Sequence, residues 1–380
     1  MSDPADLTYL RPPAEVVYAR ELAALAAHDA GPRPAGWCLS PRSVRTFVLG
    51  SDGEALAHEW EGQRVETVVA RKYYGDDVLV ERAVISLAGN RGLLLVGEPG
   101  TAKTMLSELL AAAISGLSTN TIQGTAGTTE DQIKYSWNYA LLLADGPSPR
   151  ALVPAPLYIG MRDGLLTRFE EITRCPPEIQ DVLVSVLSDK LLLVPELAGD
   201  DRVVLARPGF NVIATANIRD RGVHEMSSAL KRRFNFETVP PIRDLALEVQ
   251  LVTEQTERLL GEAGAAVAVE RDVVELLVTT FHELREGVTA EGKQLERPTT
   301  SLSTAEAVSV GLAAGLDAHY YGDGRLAGHH LVRHLAGAAI KDNADDLKRL
   351  RHYFDTVVAE RGQQRGAHWQ AYHRARKWLG

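Results

Sequence analysis

The sequence predicts an α/β fold, in which helices flank a parallel sheet, followed by an all-helical region. Up to residue 240, short apolar runs typical of buried strands alternate with amphipathic segments typical of helices. One such strand, Leu93–Val96, leads directly into a glycine-bearing loop and then into a helix. Beyond Pro240 and Pro241, every segment with a clear apolar period has the spacing of a helix.

The glycine-bearing loop has the composition of a phosphate-binding loop. It reads Gly97, Glu98, Pro99, Gly100, Thr101, Ala102, Lys103 and Thr104. The two glycines let backbone N–H groups turn toward phosphate oxygens, and the following helix points its positive end at the same anion. Lys103 can reach the β- and γ-phosphates of a nucleotide, and the Thr104 hydroxyl can ligate Mg²⁺. We therefore predict an ATP and Mg²⁺ site here, with an ordinary glycine turn as the alternative.

Ala102 departs from the usual pattern of such loops, because it stands where a second glycine is common. We expect alanine to be accepted if the backbone there is already helical, with φ below zero, one residue before the helix. The sequence contains no Asn-Lys-x-Asp segment of the kind that reads guanine, which disfavours GTP as the nucleotide.

Length and composition set the remaining bounds. A chain of 380 residues exceeds one typical core, so two or more domains are expected. The net charge of -9 provides no overall basic field for nucleic acid. Cys38 and Cys175 have no metal-ligand spacing and are expected to be free thiols. No signal peptide or membrane-spanning stretch is evident, so we expect a cytoplasmic protein without a membrane partner.

We predict three regions along the chain. Residues 1–60 are an N-terminal extension with a short strand at Ser43–Leu49, which packs against the rest or docks a partner. Residues 61–240 are the α/β nucleotide domain, and residues 241–380 are a helical lid with further C-terminal helices. Within the second region, residues 124–164 and 191–205 have the composition of hairpin insertions.

Tyr74 and Gly75 precede a helix that Asp76 and Asp77 cap. This position allows them to contact a nucleotide base, although burial of the aromatic ring is an equally good explanation.

Polar residues follow the later core strands. The strand Leu165–Phe169 ends in Glu170 and Glu171, and the strand Phe210–Ala216 ends in Asn217. Next comes a short helix that ends in Arg232 and Arg233. Taken singly, the two glutamates fit a solvated helix start, and Asn217 fits a turn. The two arginines fit stabilisation of a helix dipole. Their order after a phosphate-binding loop is the more specific observation.

In this order the motifs resemble those of the AAA+ ATPases, and within them the MoxR-like members of the helix-2-insert clade. The resemblance rests on Gly97–Thr104, Phe169–Pro177, Asn211–Asn217 and Leu230–Phe234. It covers residues 73–240 closely and the helical region loosely. It implies that residues 124–164 contain the helix-2 insert, that residues 191–205 are the hairpin before sensor 1, and that the helical region is the lid.

The resemblance also implies roles for individual residues. Glu170 takes the Walker B position that holds Mg²⁺, and Glu171 is the carboxylate that polarises the attacking water. Asn217 corresponds to sensor 1, which orients that water. Arg233, with Arg232 as the alternative, corresponds to the arginine finger that reaches the nucleotide of a neighbouring subunit. Positioning and charge neutralisation are what phosphoryl transfer requires.

Three positions depart from the family pattern. Glu170 replaces the usual Asp, and Arg168 interrupts a normally aliphatic strand, so that strand is less buried or the arginine is paired. Ser303 stands at the place of the sensor 2 arginine, and nearby Arg297 is the candidate substitute.

The implied function is an ATPase that forms a ring, expected to be a hexamer, and remodels a protein partner. The resemblance suggests a partner with a von Willebrand factor type A domain. A nucleotide-switched scaffold with little hydrolysis is one alternative. A nucleic-acid-acting motor is another, based on the basic and aromatic stretch from Lys348, although we expect that stretch to dock on an acidic neighbouring subunit.

Overall fold

A computed structural model describes residues 10–217, 223–339, 341 and 343–379. These residues divide into two compact units. One comprises the described residues up to Gly97 together with Ala102–Val239, and the other comprises Glu98–Thr101 and the described residues from Pro240 onward.

The chain begins with helices and a hairpin. Their bounds are α1 Ala14–Val17, α2 Ala19–His28, α3 Pro41–Leu49, β1 Ala55–Trp60 and β2 Gln63–Val68. Strands β1 and β2 pair antiparallel from Ala55 opposite Val68 to Trp60 opposite Gln63. The boundary predicted after residue 60 therefore falls inside this hairpin.

The short strand predicted at residues 43–49 is wrong, because these residues lie in helix α3. Ser40 caps this helix by accepting a hydrogen bond from the backbone N–H of Ser43, and Pro41 occupies the first turn. The buried face of α3 consists of Val44, Phe47, Val48 and Leu49. These side chains share one core cluster with Leu93 and Leu95 of the central sheet, so the N-terminal region is part of the first unit's core.

Helices and strands alternate through the rest of the first unit. In chain order they are α4 Asp77–Ala88, β3 Gly92–Gly97, α5 Lys103–Ser115, β4 Thr121–Gln123, β5 Tyr135–Trp137, α6 Tyr139–Asp145, β6 Leu152–Pro154, α7 Pro156–Asp163, β7 Leu166–Glu170, α8 Pro177–Asp189, β8 Leu191–Leu193, β9 Val203–Leu205, β10 Asn211–Asn217, α9 Ser228–Lys231 and β11 Phe234–Thr238. The predicted helix start is confirmed, because Asp76 caps α4 by accepting from the N–H of Val78.

The central sheet has five parallel strands in the order β11-β3-β10-β7-β4. Asn217 of β10 lies opposite Gly97 of β3, and Gln123 of β4 lies opposite Glu170 of β7. The carboxyl ends of these strands therefore meet at one edge of the sheet, which is where open α/β sheets bind ligands.

Both predicted insertions contain antiparallel strand pairs. Strand β5 pairs with β6, with α6 between them, and β8 pairs with β9. Together with the parallel sheet and the helical region described next, they confirm the predicted fold class.

The described part of the second unit is helical. Its helices are α10 Leu245–Glu262, α11 Arg271–Glu286, α12 Thr304–Tyr321, α13 Gly328–Ala339, α14 Ala344–Tyr353, α15 Ala359–Gln364 and α16 Ala367–Arg374. A π-helical turn, Phe354–Val358, joins α14 to α15. The sequence predicts helices at residues 326–340 and 342–359, and Ile340 and Asp342, at which the first ends and the second begins, lie outside the described residues.

A buried carboxylate joins three helices of this unit. Glu248 of α10 is fully buried and accepts hydrogen bonds from Arg285 of α11 at 2.8 and 3.0 Å and from Thr304 of α12 at 2.7 Å. Burial raises the pKa of Glu248, but the hydrogen bonds from His282 and Arg285 and the charge of Arg285 outweigh it and lower the pKa to about 2.

We predict that Glu248→Gln lowers the free energy of unfolding at pH 7 by about 3 kcal/mol, because Arg285 then stays buried without its countercharge. In the native protein this stabilisation is present above about pH 4.5 and is lost as pH falls toward 2, since the folded pKa is depressed. Urea unfolding at pH 7 and melting curves between pH 2 and 5 measure both effects. Glu257→Gln, at an exposed position of the same helix, is the control, and equal losses in the two variants contradict the prediction.

Candidate functional site

The sheet edge brings together the polar residues that end the core strands. Asn217 lies beside Gly97, where β3 enters the phosphate-binding loop. On the other side of β10, Ala214 lies opposite Phe169, so the next residues along, Thr215 and Glu170, are also neighbours. The predicted Walker A, Walker B and sensor 1 segments therefore end at the same edge of one sheet.

Lys103 begins helix α5 at the base of the phosphate-binding loop. Its side chain is buried, and its ammonium group donates a hydrogen bond to the carbonyl of Gly97 at 3.1 Å. At the tip of the loop, the Thr101 hydroxyl donates to the carbonyl of Glu98 at 2.9 Å, and Gly100 has a φ of 75°. The glycine at position 100 is thus needed for the left-handed turn of the loop.

Ala102 has a φ of 66° and a ψ of 18°, so the expectation of a φ below zero is wrong. A left-handed conformation costs a residue with a Cβ about 1–2 kcal/mol, which explains why glycine is common at this position. Glu171 has the same kind of backbone, with a φ of 54°. Strained residues of this type concentrate at functional sites, and here they flank the same sheet edge.

Glu170 is the centre of a hydrogen-bond network at this edge. It is only 4% exposed. Its Oε2 accepts from the hydroxyls of Thr104 at 2.9 Å and Thr215 at 2.8 Å. Its Oε1 accepts from the hydroxyl of Ser107 at 2.6 Å and from the Arg168 guanidinium at 2.9 Å. One carboxylate therefore joins the first turn of α5 to strands β7 and β10.

Arg168 is paired, and strand β7 is buried along its whole length. Besides Glu170, its guanidinium donates to the Ser107 hydroxyl at 3.0 Å, to the Ser118 carbonyl at 2.9 Å and to the Thr104 carbonyl at 3.2 Å. Of the two explanations offered for this arginine, the paired one is correct.

Glu171 is more accessible than Glu170. Its side chain is 34% exposed and forms an ion pair with Arg174 at 2.5 Å. Its backbone N–H donates to the Thr215 hydroxyl at 2.9 Å, so Thr215 contacts both glutamates. Asn217, one strand away, is half-buried. A carboxylate and an amide thus lie at the edge beside the phosphate-binding loop.

The two candidate arginine fingers differ in their contacts. The Arg233 guanidinium donates to the Ser188 hydroxyl and to the Ala229 carbonyl, both at 2.8 Å. The Arg232 side chain is exposed and forms no hydrogen bond or ion pair with another residue of the described ranges, although its backbone N–H donates to the carbonyl of Ser228. Arg233 is therefore held on its own subunit, whereas Arg232 is available.

Tyr74 and Gly75 take part in packing within their own segment. The Arg71 guanidinium lies 5.9 Å from the centre of the half-buried Tyr74 ring. Neighbouring Tyr73 is buried, and a Cβ at Gly75 would lie 2.7 Å from its hydroxyl oxygen. Gly75 therefore accommodates a tyrosine ring, and contact with a base stays a prediction.

Arg297, the candidate sensor 2, lies in the helical unit. Its guanidinium donates to the carbonyl of Glu286, the last residue of α11, at 2.5 Å. A Cβ on Gly287 would lie 2.7 Å from its Nε. Arg297 therefore caps the C-terminal end of helix α11.

The residues at the sheet edge suit Mg²⁺. The Thr104 hydroxyl gives its proton to Glu170, so its oxygen lone pairs stay available for a cation. Mg²⁺ prefers such oxygen ligands and completes its coordination with water and phosphate oxygens. In the described ranges, no three His, Cys, Asp or Glu side chains form a metal site of their own.

Sequence reasoning missed Ser107, Thr215 and Arg174. Thr215 lies two residues before Asn217 on one strand, and Ser107 lies three residues after Thr104 on one helix. Both spacings place the pairs on a common face, which was the available signal.

The comparisons with known proteins agree with this geometry. The sequence profile of the AAA domain (dynein-related subfamily) matches residues 92–234, and that of the YehL-like AAA+ ATPase C-terminal domain matches residues 246–380. YehL of Escherichia coli (strain K12) is 52% identical over 369 residues, which cover 96% of each chain.

Other similarities are more distant. SH1500 of Staphylococcus haemolyticus (strain JCSC1435) is 31% identical over 148 residues, which are 38% of this chain and 54% of that protein. NtrX from Brucella abortus in complex with ADP aligns with a TM-score of 0.48 and 12% identity, covering 81% of this chain and 70% of that one.

None of the helices in the described ranges combines the length and apolarity needed to span a bilayer. The similarity to YehL extends over nearly the whole of both chains, and the two profiles match consecutive parts of the sequence. The chain belongs to the family of YehL-like AAA+ ATPases.

Proposed function

We propose that this chain is a MoxR-like ATPase that hydrolyses Mg²⁺-ATP in a ring, expected to be a hexamer, and uses the energy to remodel or activate a protein partner. The observation that carries the proposal is the meeting of Lys103, Thr104, Glu170, Glu171 and Asn217 at one edge of the sheet. The ring and a partner with a von Willebrand factor type A domain rest on the family resemblance.

The phosphate-binding loop positions the nucleotide in this proposal. Lys103 and the backbone N–H groups of the loop neutralise the β- and γ-phosphates. Thr104 and Glu170, whose side chains are hydrogen-bonded to each other, would hold Mg²⁺. When bound, Mg²⁺ offsets the negative charge of these phosphates and helps to orient them.

Glu171 and Asn217 act on the attacking water. A carboxylate can accept the proton of this water, and an amide oxygen or N–H group can orient it. The Glu171 side chain is 34% exposed, and its Oε2 forms the ion pair with Arg174. The left-handed backbone of Glu171 is a strained conformation of the kind that concentrates at functional sites.

Arg232 is the better arginine finger in this proposal, although the family resemblance favours Arg233. A finger must leave its own subunit and reach a neighbouring nucleotide, where it neutralises charge in the transition state. The Arg233 guanidinium is already bound to Ser188 and Ala229, whereas Arg232 is exposed.

We predict that Lys103→Ala weakens ATP binding by at least about 100-fold, because it removes a charged donor to two phosphates at about 1.5–3 kcal/mol for each contact. Titration calorimetry with a non-hydrolysable ATP analogue measures the change. Lys134→Ala, which removes a lysine paired with Glu130, is the control. Unchanged affinity in Lys103→Ala would remove the basis for a phosphate-binding loop.

We predict that Glu171→Gln binds ATP within about threefold of wild type but turns it over about 10²- to 10⁴-fold more slowly, since an amide does not accept the proton. Phosphate release and nucleotide binding are measured on the same preparation. Glu178→Gln, at an exposed position in the following helix, should keep full turnover. If Glu171→Gln also keeps it, the base lies elsewhere, and Glu170 is the next residue to test.

We predict that a mixture of Arg232→Ala and Lys103→Ala proteins regains ATPase activity, although each is inactive alone. In a mixed ring, a Lys103→Ala subunit donates Arg232 to a neighbour whose phosphate-binding loop is intact, and the expected gain is on the order of 10³-fold over either variant. The same mixture with Arg233→Ala is the comparison. Rescue with Arg233→Ala, but not with Arg232→Ala, assigns the finger to Arg233.

A further inference from the structure

Two charged residues that lie two positions apart on strand β7 contact each other beneath the phosphate-binding loop. Arg168 and Glu170 point to the same side of the strand, as alternate residues do, and their charged groups lie 2.9 Å apart. Both are buried, with exposures of 6% and 4%. Burying either charge alone is costly, so each depends on the other.

The length of Glu170 determines which groups it reaches. Its Oε1 meets Ser107, which lies one helical turn beyond Thr104, while its Oε2 meets Thr104 itself. An aspartate is shorter by about 1.5 Å, one carbon–carbon bond, and does not bridge both hydroxyls from the same backbone position.

Arg168 fills the space between the strand and the helix. It donates to Glu170, to the Ser107 hydroxyl and to the Thr104 carbonyl, and thus contacts the first two turns of α5. Arg168 and Ser107 together occupy Oε1 of Glu170, so that Oε2 is the oxygen directed at the Thr104 hydroxyl. The guanidinium thereby sets which carboxylate oxygen faces Thr104, the residue that would hold Mg²⁺.

We propose that Arg168 and Glu170 form one functional unit, in which Arg168 is a positioning residue that holds the long Glu170 carboxylate in register with Thr104. This inference rests on the proposed Mg²⁺-ATP site. We expect normal Mg²⁺ affinity when Arg168 and Glu170 are both present, or when an aliphatic residue replaces Arg168 and an aspartate replaces Glu170. Either replacement alone should weaken Mg²⁺ binding.

A double-mutant cycle tests this proposal. The proteins are wild type, Arg168→Leu, Glu170→Asp and the double variant. For each, the Mg²⁺ concentration that half-saturates ATP turnover is measured, together with the Mg²⁺ concentration that half-saturates binding of a fluorescent ATP analogue. We expect each single exchange to raise both concentrations tenfold or more, and the double variant to return within threefold of wild type.

A control separates positioning from stability. Arg82→Leu removes an arginine that binds Glu237 bidentately at 2.8 Å between α4 and β11 in the same unit. It should lower the melting temperature and leave the Mg²⁺ dependence unchanged. Arg168→Lys keeps the positive charge but has fewer hydrogen-bond donors, so it should show an intermediate Mg²⁺ requirement. It serves as the test if Arg168→Leu fails to fold.

The possible outcomes distinguish this inference from the proposed function. Additive effects of the two exchanges, or a wild-type Mg²⁺ requirement in Glu170→Asp, overturn the coupling while the ATPase proposal stands. If the wild type binds Mg²⁺ and nucleotide but does not hydrolyse ATP, the ATPase proposal fails. The double-mutant cycle measured by binding of the ATP analogue then still decides whether Arg168 and Glu170 are coupled. If the wild type binds no nucleotide, the positioning role fails with the proposed function.

Discussion

The burial of the Glu170 carboxylate is the constraint on which the site depends. A buried carboxylate is costly unless donors surround it, and Glu170 meets this cost with four donors from α5, β7 and β10. These donors fix the helix that follows the phosphate-binding loop against the two strands that carry the other polar residues. The geometry of the candidate site and the packing of the first unit therefore rest on the same contacts.

Backbone strain accompanies this network. Ala102 and Glu171 both adopt left-handed conformations, one directly before α5 and the other directly after β7. Ala102 precedes Lys103, the first residue of the helix that Glu170 contacts. Glu171 follows Glu170, which its four hydrogen-bond donors hold in place. Local structure that is disfavoured by about 1–2 kcal/mol per residue persists because the surrounding contacts determine it.

Most of the fold could be predicted from the sequence because its signals are local. Apolar runs indicated the strands. Because the strands pair in parallel, the polar residues at their carboxyl ends lie at the same edge of the sheet. Helix α3 was mistaken for a strand, since its valines and phenylalanine obscured the Ser-Pro start signal at Ser40 and Pro41. The conformation of Ala102 could not be predicted, because it depends on how α5 packs on the sheet. The spacing from Thr104 placed Ser107 on the same face of α5, but its contact with Glu170 depends on that packing as well.

The central claim is that this sheet edge is a Mg²⁺-dependent ATP site. Titration calorimetry of the wild-type protein with a non-hydrolysable ATP analogue, in Mg²⁺ and then in EDTA, tests it most directly. The account predicts saturable binding that is at least about tenfold tighter in Mg²⁺, a difference of about 1.4 kcal/mol. Equal affinity in EDTA, or no binding in Mg²⁺, would contradict it.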